Sequence, residues 1–365
     1  MTLILTFLGK GGSGRSTMAI AAAKQLANTG VRVLLVGQDP SPAWGMLLEV
    51  PPSTSPTDIA PNLAVVQLVT TLLLERNWEE VKELEKKYLR SPILKNVYGQ
   101  ELGILPGMDN GLALYALREY EKSGKYDVIV YDGTGDLNLL RMLGIPEVTS
   151  WYVRRFRQVF ADSDLGRAIS PFIQPIASTI LNVSLNPEDW IKDPNNPANN
   201  ILEEGKAAMA DPSRVAAYLV TTDDPIAIAT AKYLWGSAQQ IGLSVKGVLL
   251  NQATSSETIT NQFTPLSVIT VPSRTGSDWN SVIDALPNFK ESISIPKPLE
   301  IDPTNRQVKV FLPGFDKKQV KLTQSGPEIT IEAGNQRRNI NVPAPLSGQP
   351  VKGAKFQDGY LIISF

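Results

Sequence analysis

The sequence predicts an α/β protein: a doubly wound, mainly parallel sheet with a helical insertion, followed by a small C-terminal all-β sandwich. Two observations predict the sheet. Short apolar runs rich in Val, Ile and Leu recur along the first 290 residues, and helical patterns separate them. A third observation predicts the sandwich, because the pattern after residue 304 alternates with a period of two between Gly and Pro turns.

The predicted parallel strands are continuous apolar runs, as expected for strands covered on both faces. They lie at 2–8, 31–37, 63–69, 127–132, 217–222, 245–251 and 266–272. Helical patterns lie at 17–30, 74–90, 110–124 and 227–242, several of them closed by glycine. Strands that alternate with helices in this way are typical of a doubly wound domain.

Residues 137 to about 209 interrupt the alternation and are predicted as a helical insertion. They carry no strand signal and include two apolar helical patterns, 137–161 and 167–185, before a Pro- and Asn-rich loop at 186–200. We therefore expect a domain at 1–290, a linker at 291–303 and a sandwich at 304–365. Its predicted strands are 306–314, 319–324, 328–334, 338–346 and 359–365.

The composition excludes several kinds of chemistry. The 365 residues include no cysteine and no histidine, which excludes disulfides, Cys/His zinc sites, thiol nucleophiles and histidine bases. The 35 basic and 36 acidic residues nearly balance, so no nucleic-acid partner is expected. The first apolar run passes directly into a glycine loop and has no signal-peptide features, and no run reaches the roughly 18 apolar residues of a membrane span. A soluble protein inside the cell is expected, with membrane contact at most transient.

The run 9-GKGGSGRST-17 follows the first strand and opens a helix. Glycines in such a loop let backbone N–H groups converge on phosphates, and the helix N-terminus adds partial positive charge. Arg15 stands where such loops carry a lysine, and the next hydroxyl, Ser16, is the predicted Mg²⁺ ligand. The predicted nucleotide contacts here are Gly9, Gly11, Gly12, Ser13, Gly14, Arg15, Ser16 and Thr17.

Other predicted site residues end strands of the same sheet. Asp132 ends 127-DVIVYD-132 and is expected to hold the magnesium through water. Asp39 follows the second strand and can activate a water that attacks the γ-phosphate, since no histidine exists to do so. Asn251 can offer a donor and an acceptor to a purine edge, and Pro272 at the end of the last strand completes the predicted nucleotide contacts.

Five stretches together resemble one family of P-loop NTPases. They are GKGG with Lys10, 39-DP-40, 104-ILPGMDNGLAL-114, 139-LLRMLGIPE-147 and 250-LNQ-252. Residues 1–290 are similar to the arsenical pump-driving ATPases and to the ATPases that target tail-anchored membrane proteins, both of the SIMIBI class. The resemblance implies ATP and Mg²⁺ as cofactors and a homodimer with a composite site, in which Lys10 reaches the partner's nucleotide. It also implies that Asp39 activates water, that Ser16 binds Mg²⁺ and that Asn251 reads adenine.

The sequence departs from this family in the glycine loop and in the segment after Asp39, called the switch. Arginine keeps the charge of the loop lysine, but its planar fork is bulkier, so we predict ATP binding with slow hydrolysis and count Arg15 with Lys10 and Asp39 among the catalytic residues. PSPAW follows Asp39 where relatives have a histidine and a serine. The CxxC pair that binds zinc in eukaryotic targeting dimers is missing, so no zinc is expected.

In targeting members of the family the insertion forms an apolar groove for a client helix. Two interpretations stay open: a client groove, or an ordinary packed helical layer. The residues expected to line a groove are Leu140, Met142, Leu143, Phe156, Phe160, Phe172, Ile173 and Ile176.

The last 65 residues resemble an α-crystallin (small heat-shock) domain through 308-VKVFLPGFDKKQVKL-322 and 358-DGYLIISF-365. The subtype is similar to cyanobacterial and plastid examples, which implies cytoplasm or plastid stroma. Its role is either to pack on the ATPase surface or to provide a second holding surface for clients.

The function favoured by these patterns is a homodimeric, slowly hydrolysing ATP switch that acts as a chaperone or targeting factor for hydrophobic clients, including tail-anchored membrane proteins. One alternative is the ATPase subunit of an anion or metalloid efflux pump, against which the lack of cysteine speaks. The other is a partition-type ATPase, against which the balanced charge speaks.

Overall fold

The computed structural model of this chain describes residues 1–51, 53–76, 107–152, 197–254 and 256–365. The strands of the first sheet are β1 Leu3–Leu8, β2 Val33–Gly37, β3 Thr57–Ala60, β4 Leu63–Gln67, β5 Val128–Asp132, β6 Val215–Thr221, β7 Ser244–Asn251 and β8 Val268–Val271. Their order is β3-β4-β2-β5-β1-β6-β7-β8. Neighbours are parallel except β3, which is antiparallel to β4. The predicted mainly parallel sheet is confirmed.

Helices connect these strands. They are α1 Arg15–Asn28, α2 Pro42–Leu48, α3 Met108–Lys122, α4 Leu137–Leu143, α5 Pro197–Ala210, α6 Pro225–Gln240, α7 Glu257–Gln262 and α8 Asn280–Ala285. Residues 70–76 and 145–152 are also helical. Among the described helices, none is long and apolar enough to cross a bilayer.

Two hydrophobic cores cover the two faces of the sheet. On one face, α3, α4 and α6 pack over alternate residues of the strands, such as Leu34 and Ile129. On the other face, α1 and α8 pack over the intervening residues, such as Leu35 and Val130. Because side chains of a strand alternate between faces, burial of both faces requires an unbroken apolar run. The continuous runs in the sequence therefore have their physical reason in these two layers.

The C-terminal part forms two antiparallel sheets. Their strands are β9 Leu299–Asp302, β10 Gln307–Phe311, β11 Lys321–Ser325, β12 Glu328–Ala333, β13 Gln336–Asn341, β14 Gly353–Gln357 and β15 Tyr360–Ser364. One sheet has the order β14-β15-β10-β9 and the other the order β11-β12-β13, with a short 3₁₀ helix at Lys317–Gln319. Apolar residues of both sheets, among them Val310, Ile331 and Ile363, share one core. The predicted all-β domain is confirmed.

The structure corrects several predicted boundaries. Strand β9 lies inside the stretch predicted as linker, and it pairs with β10 along Leu299–Asp302. Strands β3 and β14 were not predicted, because both are short and largely exposed and so lack an apolar run. Helix α5 begins at Pro197, inside the predicted loop 186–200, since proline is favourable in the first turn of a helix. The division at residues 290 and 304 stays a prediction.

Helix α6 of the first domain carries the C-terminal sandwich. Its Tyr233 ring meets Phe315 edge-on at 5.5 Å between ring centroids, and Trp235 meets Phe311 at the same distance. At the end of the helix, Nη1 of Arg338 donates to the Gln239 carbonyl at 2.9 Å. These apolar and polar contacts join the two domains along one side of α6.

Candidate nucleotide-binding site

The glycine loop leaves the carboxyl end of β1, whose neighbours β5 and β6 lie on either side. In a doubly wound sheet such a position at the strand ends is where ligands bind. Gly12 and Gly14 have φ of 83° and 95°, a left-handed conformation that glycine adopts without strain. A side chain at Gly9 would collide with the Val220 carbonyl of β6. The loop therefore lies close against the sheet, and its sequence requires glycine at these positions.

Asn251 holds the loop in place. It lies at the end of β7, is 3% exposed, and its Nδ2 donates to the Ser13 carbonyl at 2.9 Å. The same amide nitrogen occupies the space that a side chain at Gly14 would need. The structure thus gives Asn251 a partner in the loop, while its predicted role in reading adenine stays a prediction.

The Arg15 side chain lies beneath the loop that follows β5. Its guanidinium occupies the space that a Cβ at Gly135 would need. Burial lowers the pKa of Arg15, whereas the nearby Asp132 and Asp136 raise it. Arginine remains charged over the whole accessible pH range. Its Nη1 is buried and has no hydrogen-bond partner, so an unpaired cationic donor is available at the head of α1.

Asp132 at the end of β5 is 5% exposed, and Trp44 Nε1 donates to its Oδ2 at 3.1 Å. Burial raises the pKa of Asp132 to about 6, against the opposing effects of a Ser16 hydrogen bond, the Arg15 charge and the Trp44 hydrogen bond. The structure thus brings the two predicted metal-binding residues, Ser16 and Asp132, together.

The loop after β5 is tied to the glycine loop. The Gly9 amide donates to the Gly135 carbonyl at 3.0 Å. Immediately afterwards, Asp136 caps α4 by accepting from the Asn138 amide at 2.8 Å and from the Thr134 hydroxyl at 2.7 Å. A movement of this loop therefore changes both the phosphate loop and the start of α4.

Asp39 lies exposed beyond the end of β2. Its two carboxylate oxygens accept from the amide and the hydroxyl of Ser41, at 2.8 and 2.9 Å. Gln67 at the end of β4 donates to the Asp39 carbonyl at 2.6 Å and so fixes the backbone here. A carboxylate oxygen has two lone pairs, so Asp39 can still accept a hydrogen bond from a water.

The remaining predicted residues lie at the rim of the same edge. Lys10, Gly11 and Gly12 are exposed at the tip of the loop, and Thr17 is partly buried in the first turn of α1. Pro272 is exposed after the end of β8. No contact in the structure tests their predicted roles, which stay predictions.

Sequence reasoning missed several residues of the site. Trp44, Gly135 and Asp136 belong to it through the contacts described above. Tyr131 also belongs, since its hydroxyl donates to Gln38 Oε1 at 2.7 Å behind the switch after β2. Trp44 and Tyr131 look like ordinary core residues in the sequence, and only their polar atoms connect them to the site. Asp136 had a local signal, an aspartate directly before a helical pattern.

The predicted client groove is corrected at three positions. Leu140, Met142 and Leu143 are at most 4% exposed and belong to the core between α3, α4 and the sheet. Their helical spacing reflects packing against this chain, the alternative interpretation of the pattern. The other predicted groove residues, Phe156, Phe160, Phe172, Ile173 and Ile176, lie outside the described residues.

The hydrogen-bond donors and oxygen ligands of this site suit a nucleoside triphosphate with Mg²⁺. The unpartnered Nη1 of Arg15 and the glycine-loop amides are donors for phosphate oxygens, and the Ser16 hydroxyl and Asp132 carboxylate are oxygen ligands of the kind Mg²⁺ takes.

Comparison with known proteins places this site in a family context. The family profile of the anion-transporting ATPases matches residues 2–268, and that of the HSP20-like domain found in ArsA matches residues 303–365. The chain is 24% identical to a protein of Chlorobaculum tepidum, provisionally named an arsenical pump-driving ATPase, over 99% of this chain and 95% of that protein. A similarly named Aquifex aeolicus protein is 22% identical over 99% of both chains. ATPase GET3 of Mycosarcoma maydis is 21% identical over 67% of this chain and 70% of its own length.

Proposed function

Because this chain belongs to the anion-transporting ATPase family, with an HSP20-like domain at its C-terminus, we propose that it is a slowly hydrolysing, homodimeric ATP switch that handles hydrophobic client proteins. The family supports ATP hydrolysis. The homodimer, the slow rate and the clients are our proposal.

One observation carries the switch proposal: the Gly9 amide is bonded to the Gly135 carbonyl, and Arg15 lies against the same glycine. Phosphate oxygens that bind the loop amides would compete with the Gly135 carbonyl for the Gly9 amide, and those that bind Arg15 would draw its guanidinium away from Gly135. Since Asp136 in the same loop caps α4, a change at the phosphates would be transmitted to α4 and to the rest of the insertion. A ligand that prefers one arrangement of this loop shifts the population towards it.

The chemistry assigned to this chain is positioning and water activation. The loop amides and Arg15 would hold the phosphates, and Asp39 would accept a proton from the attacking water. Mg²⁺, held by Ser16 and through water by Asp132, would neutralise phosphate charge. The arginine fork in place of a lysine ammonium makes the fit less favourable, which supports slow turnover.

The dimer and client parts of the proposal are supported by one exposed residue and by the named relatives. Exposed Lys10 at the tip of the loop is accessible to a second copy of the chain, as a composite site requires. Relatives named ATPase GET3 support client handling of the kind inferred from the sequence. Transmembrane helices of tail-anchored proteins are the clients that this likeness favours, in the cytoplasm or stroma.

An efflux-pump ATPase is the second candidate. It is favoured by one observation: the relatives that match 99% of this chain are named for an arsenical pump, whereas the GET3 relatives match 67%. The lack of any cysteine argues against a thiolate site for arsenite in this chain.

Single-turnover hydrolysis of labelled ATP, with oligomeric state followed by light scattering in the same samples, tests the proposal. We expect ATP to bind, to dimerise the protein and to be cleaved slowly, and we expect Asp39→Asn to bind ATP without cleavage. A transmembrane-helix peptide should crosslink to the ATP-bound form more than to the ADP-bound form. Fast ATP turnover by a monomer that does not crosslink to the peptide, and whose turnover rate changes with arsenite, would favour the pump ATPase.

A further inference from the structure

A second cavity lies at the opposite edge of the sheet from the glycine loop. It has a volume of about 630 Å³ and opens where the strands begin, beside Thr2 and Val215. Its wall is mostly apolar, with Ile4, Leu117, Leu202 and Met209 among the lining residues. Its size lies within the range of about 300–1,000 Å³ that is typical of small-molecule sites. No residue of the nucleotide site contributes to it.

Two arginine donors in this wall lack partners. Nη1 of Arg118 and Nε of Arg214 are both buried and make no hydrogen bond. A buried cationic donor without an acceptor is costly, because it loses water and gains no partner. An anion in the cavity, reached by a rotation of the Arg118 side chain that lines it, would remove this cost.

The other charged groups of the wall are accounted for. Arg32 pairs with Asp127 at 2.7 Å, and Nη2 of Arg214 pairs with Glu121 at 2.9 Å. Lys122, Glu204 and Met1 with its amino group are exposed at the rim, where water solvates them. Arg118 therefore remains as the cation that has both a buried, unpartnered donor and no ion pair among the described lining residues.

We propose that this cavity binds a single-chain amphiphile with a carboxylate head, such as a fatty acid. A carboxylate has one charge and two acceptor oxygens, which suit a guanidinium fork, and a hydrocarbon chain suits the apolar wall. The helix at 145–152 and α5, which precede and follow residues 153–196 in the sequence, both contribute to the wall, through Ile145, Pro146 and Leu202. The hydrocarbon chain of the bound ligand would thus contact both ends of the insertion.

Calorimetric titration of the full chain with decanoate tests this proposal, with decanol as the uncharged probe. We expect a single decanoate per chain and at least about tenfold weaker binding of decanol, since a hydrogen bond to a charged group is worth about that much. Arg118→Met should weaken decanoate binding by at least about tenfold, and Arg118→Lys by less. Lys125→Met, an exposed cation outside the wall, is the matched control and should change nothing.

Ala208→Phe, which places an aromatic ring in the cavity, should weaken binding of both probes by at least about tenfold while ATP affinity and thermal unfolding stay unchanged. Absence of decanoate binding, equal affinity for decanol, or an unaffected Arg118→Met variant would each overturn the proposal. If the Ala208 variant does not fold, the comparison of the Arg118 and Lys125 variants decides alone.

Discussion

At the scale of single residues, Arg15 decides how the phosphate site of this protein differs from others of its kind. A lysine would present a compact ammonium, whereas the Arg15 fork extends to Gly135 and leaves Nη1 buried without a partner. The guanidinium has five donors in a fixed plane and cannot lose its charge. We therefore expect Arg15 to be a rigid phosphate ligand.

Arg15→Met should weaken ATP binding by at least about tenfold, because charge-assisted hydrogen bonds of about 1.5–3 kcal/mol are lost. Arg15→Lys should keep ATP binding and raise the single-turnover rate. Fluorescent-nucleotide titration and quenched-flow hydrolysis measure the two effects. Fast turnover of the natural chain together with unchanged ATP affinity in Arg15→Met would refute the assigned role.

The pair of Arg32 and Asp127 makes the stability depend on pH. Hydrogen bonds from the Arg32 side chain and amide lower the pKa of Asp127 to about 2. A lowered carboxyl pKa stabilises the fold above the ordinary value near 4, and this contribution is lost as the pH falls towards about 2. Both side chains are more than a third exposed, so we expect Asp127→Asn to cost no more than about 1 kcal/mol at pH 7. Urea unfolding at several pH values measures it, with exposed Asp284→Asn as the control.

At the scale of elements, the loop between β5 and α4 connects the phosphate site to the helical layer. It begins at buried Asp132, passes Gly135 with φ of 62°, and ends at the cap residue Asp136. Three kinds of constraint, a buried carboxylate, a close backbone approach and a helix cap, thus fall within five residues of each other along the chain.

Gly135→Ala should disrupt this connection, since the added Cβ would collide with Arg15 and lie 2.7 Å from the Phe7 carbonyl. We expect loss of ATP binding and a lower free energy of unfolding. Gly124→Ala is the matched control: its φ is also positive, at 63°, but nothing lies within 4 Å of the added Cβ. Equal effects of the two variants would show that backbone strain, rather than the contact with Arg15, is responsible.

At the scale of the whole molecule, the C-terminal sandwich is attached through the tight fit of α6. Gly236 in this helix faces the Pro313 carbonyl and the Phe315 ring, and Gly334 approaches the same ring. On the other side, Trp151 Nε1 donates to Glu328 Oε1 at 3.0 Å, while the Arg337 guanidinium lies 5.0 Å from the Trp151 ring centroid. The sandwich therefore contacts the first domain at α6 and at Trp151 in the predicted insertion.

Gly236→Ala should destabilise the protein, although alanine usually stabilises a helix interior by about 0.5–1 kcal/mol relative to glycine. The added Cβ would collide with the Pro313 carbonyl, and overpacking of this kind costs about 1–3 kcal/mol. Thermal unfolding and limited proteolysis between the domains measure the effect. Gly353→Ala, with open space around the added Cβ, serves as the control, and a stabilised Gly236→Ala protein would contradict the tight interface.

Most of the fold could be predicted, because each long buried strand carries its own apolar run. The structure contains all seven predicted parallel strands, within about three residues at each end, but edge strands β3 and β14 left no such signal. The phosphate loop was also predictable, since its glycines follow from local backbone geometry. The contacts of Gly135 and Trp44 could not be predicted, because their partners Arg15 and Asp132 are distant in sequence.

The sequence by itself determined the two-domain α/β and all-β architecture, the position of the phosphate loop and its family, because periodicity, turn chemistry and motif spacing are local properties. Only the tertiary structure decided that Leu140, Met142 and Leu143 belong to the core and that Asn251 holds the glycine loop. It also decided that a cavity with Arg118 in its wall lies at the opposite edge of the sheet from the nucleotide site. An apolar helical stripe has the same spacing whether protein or solvent faces it. Which of the two covers it depends on contacts between residues far apart in the chain.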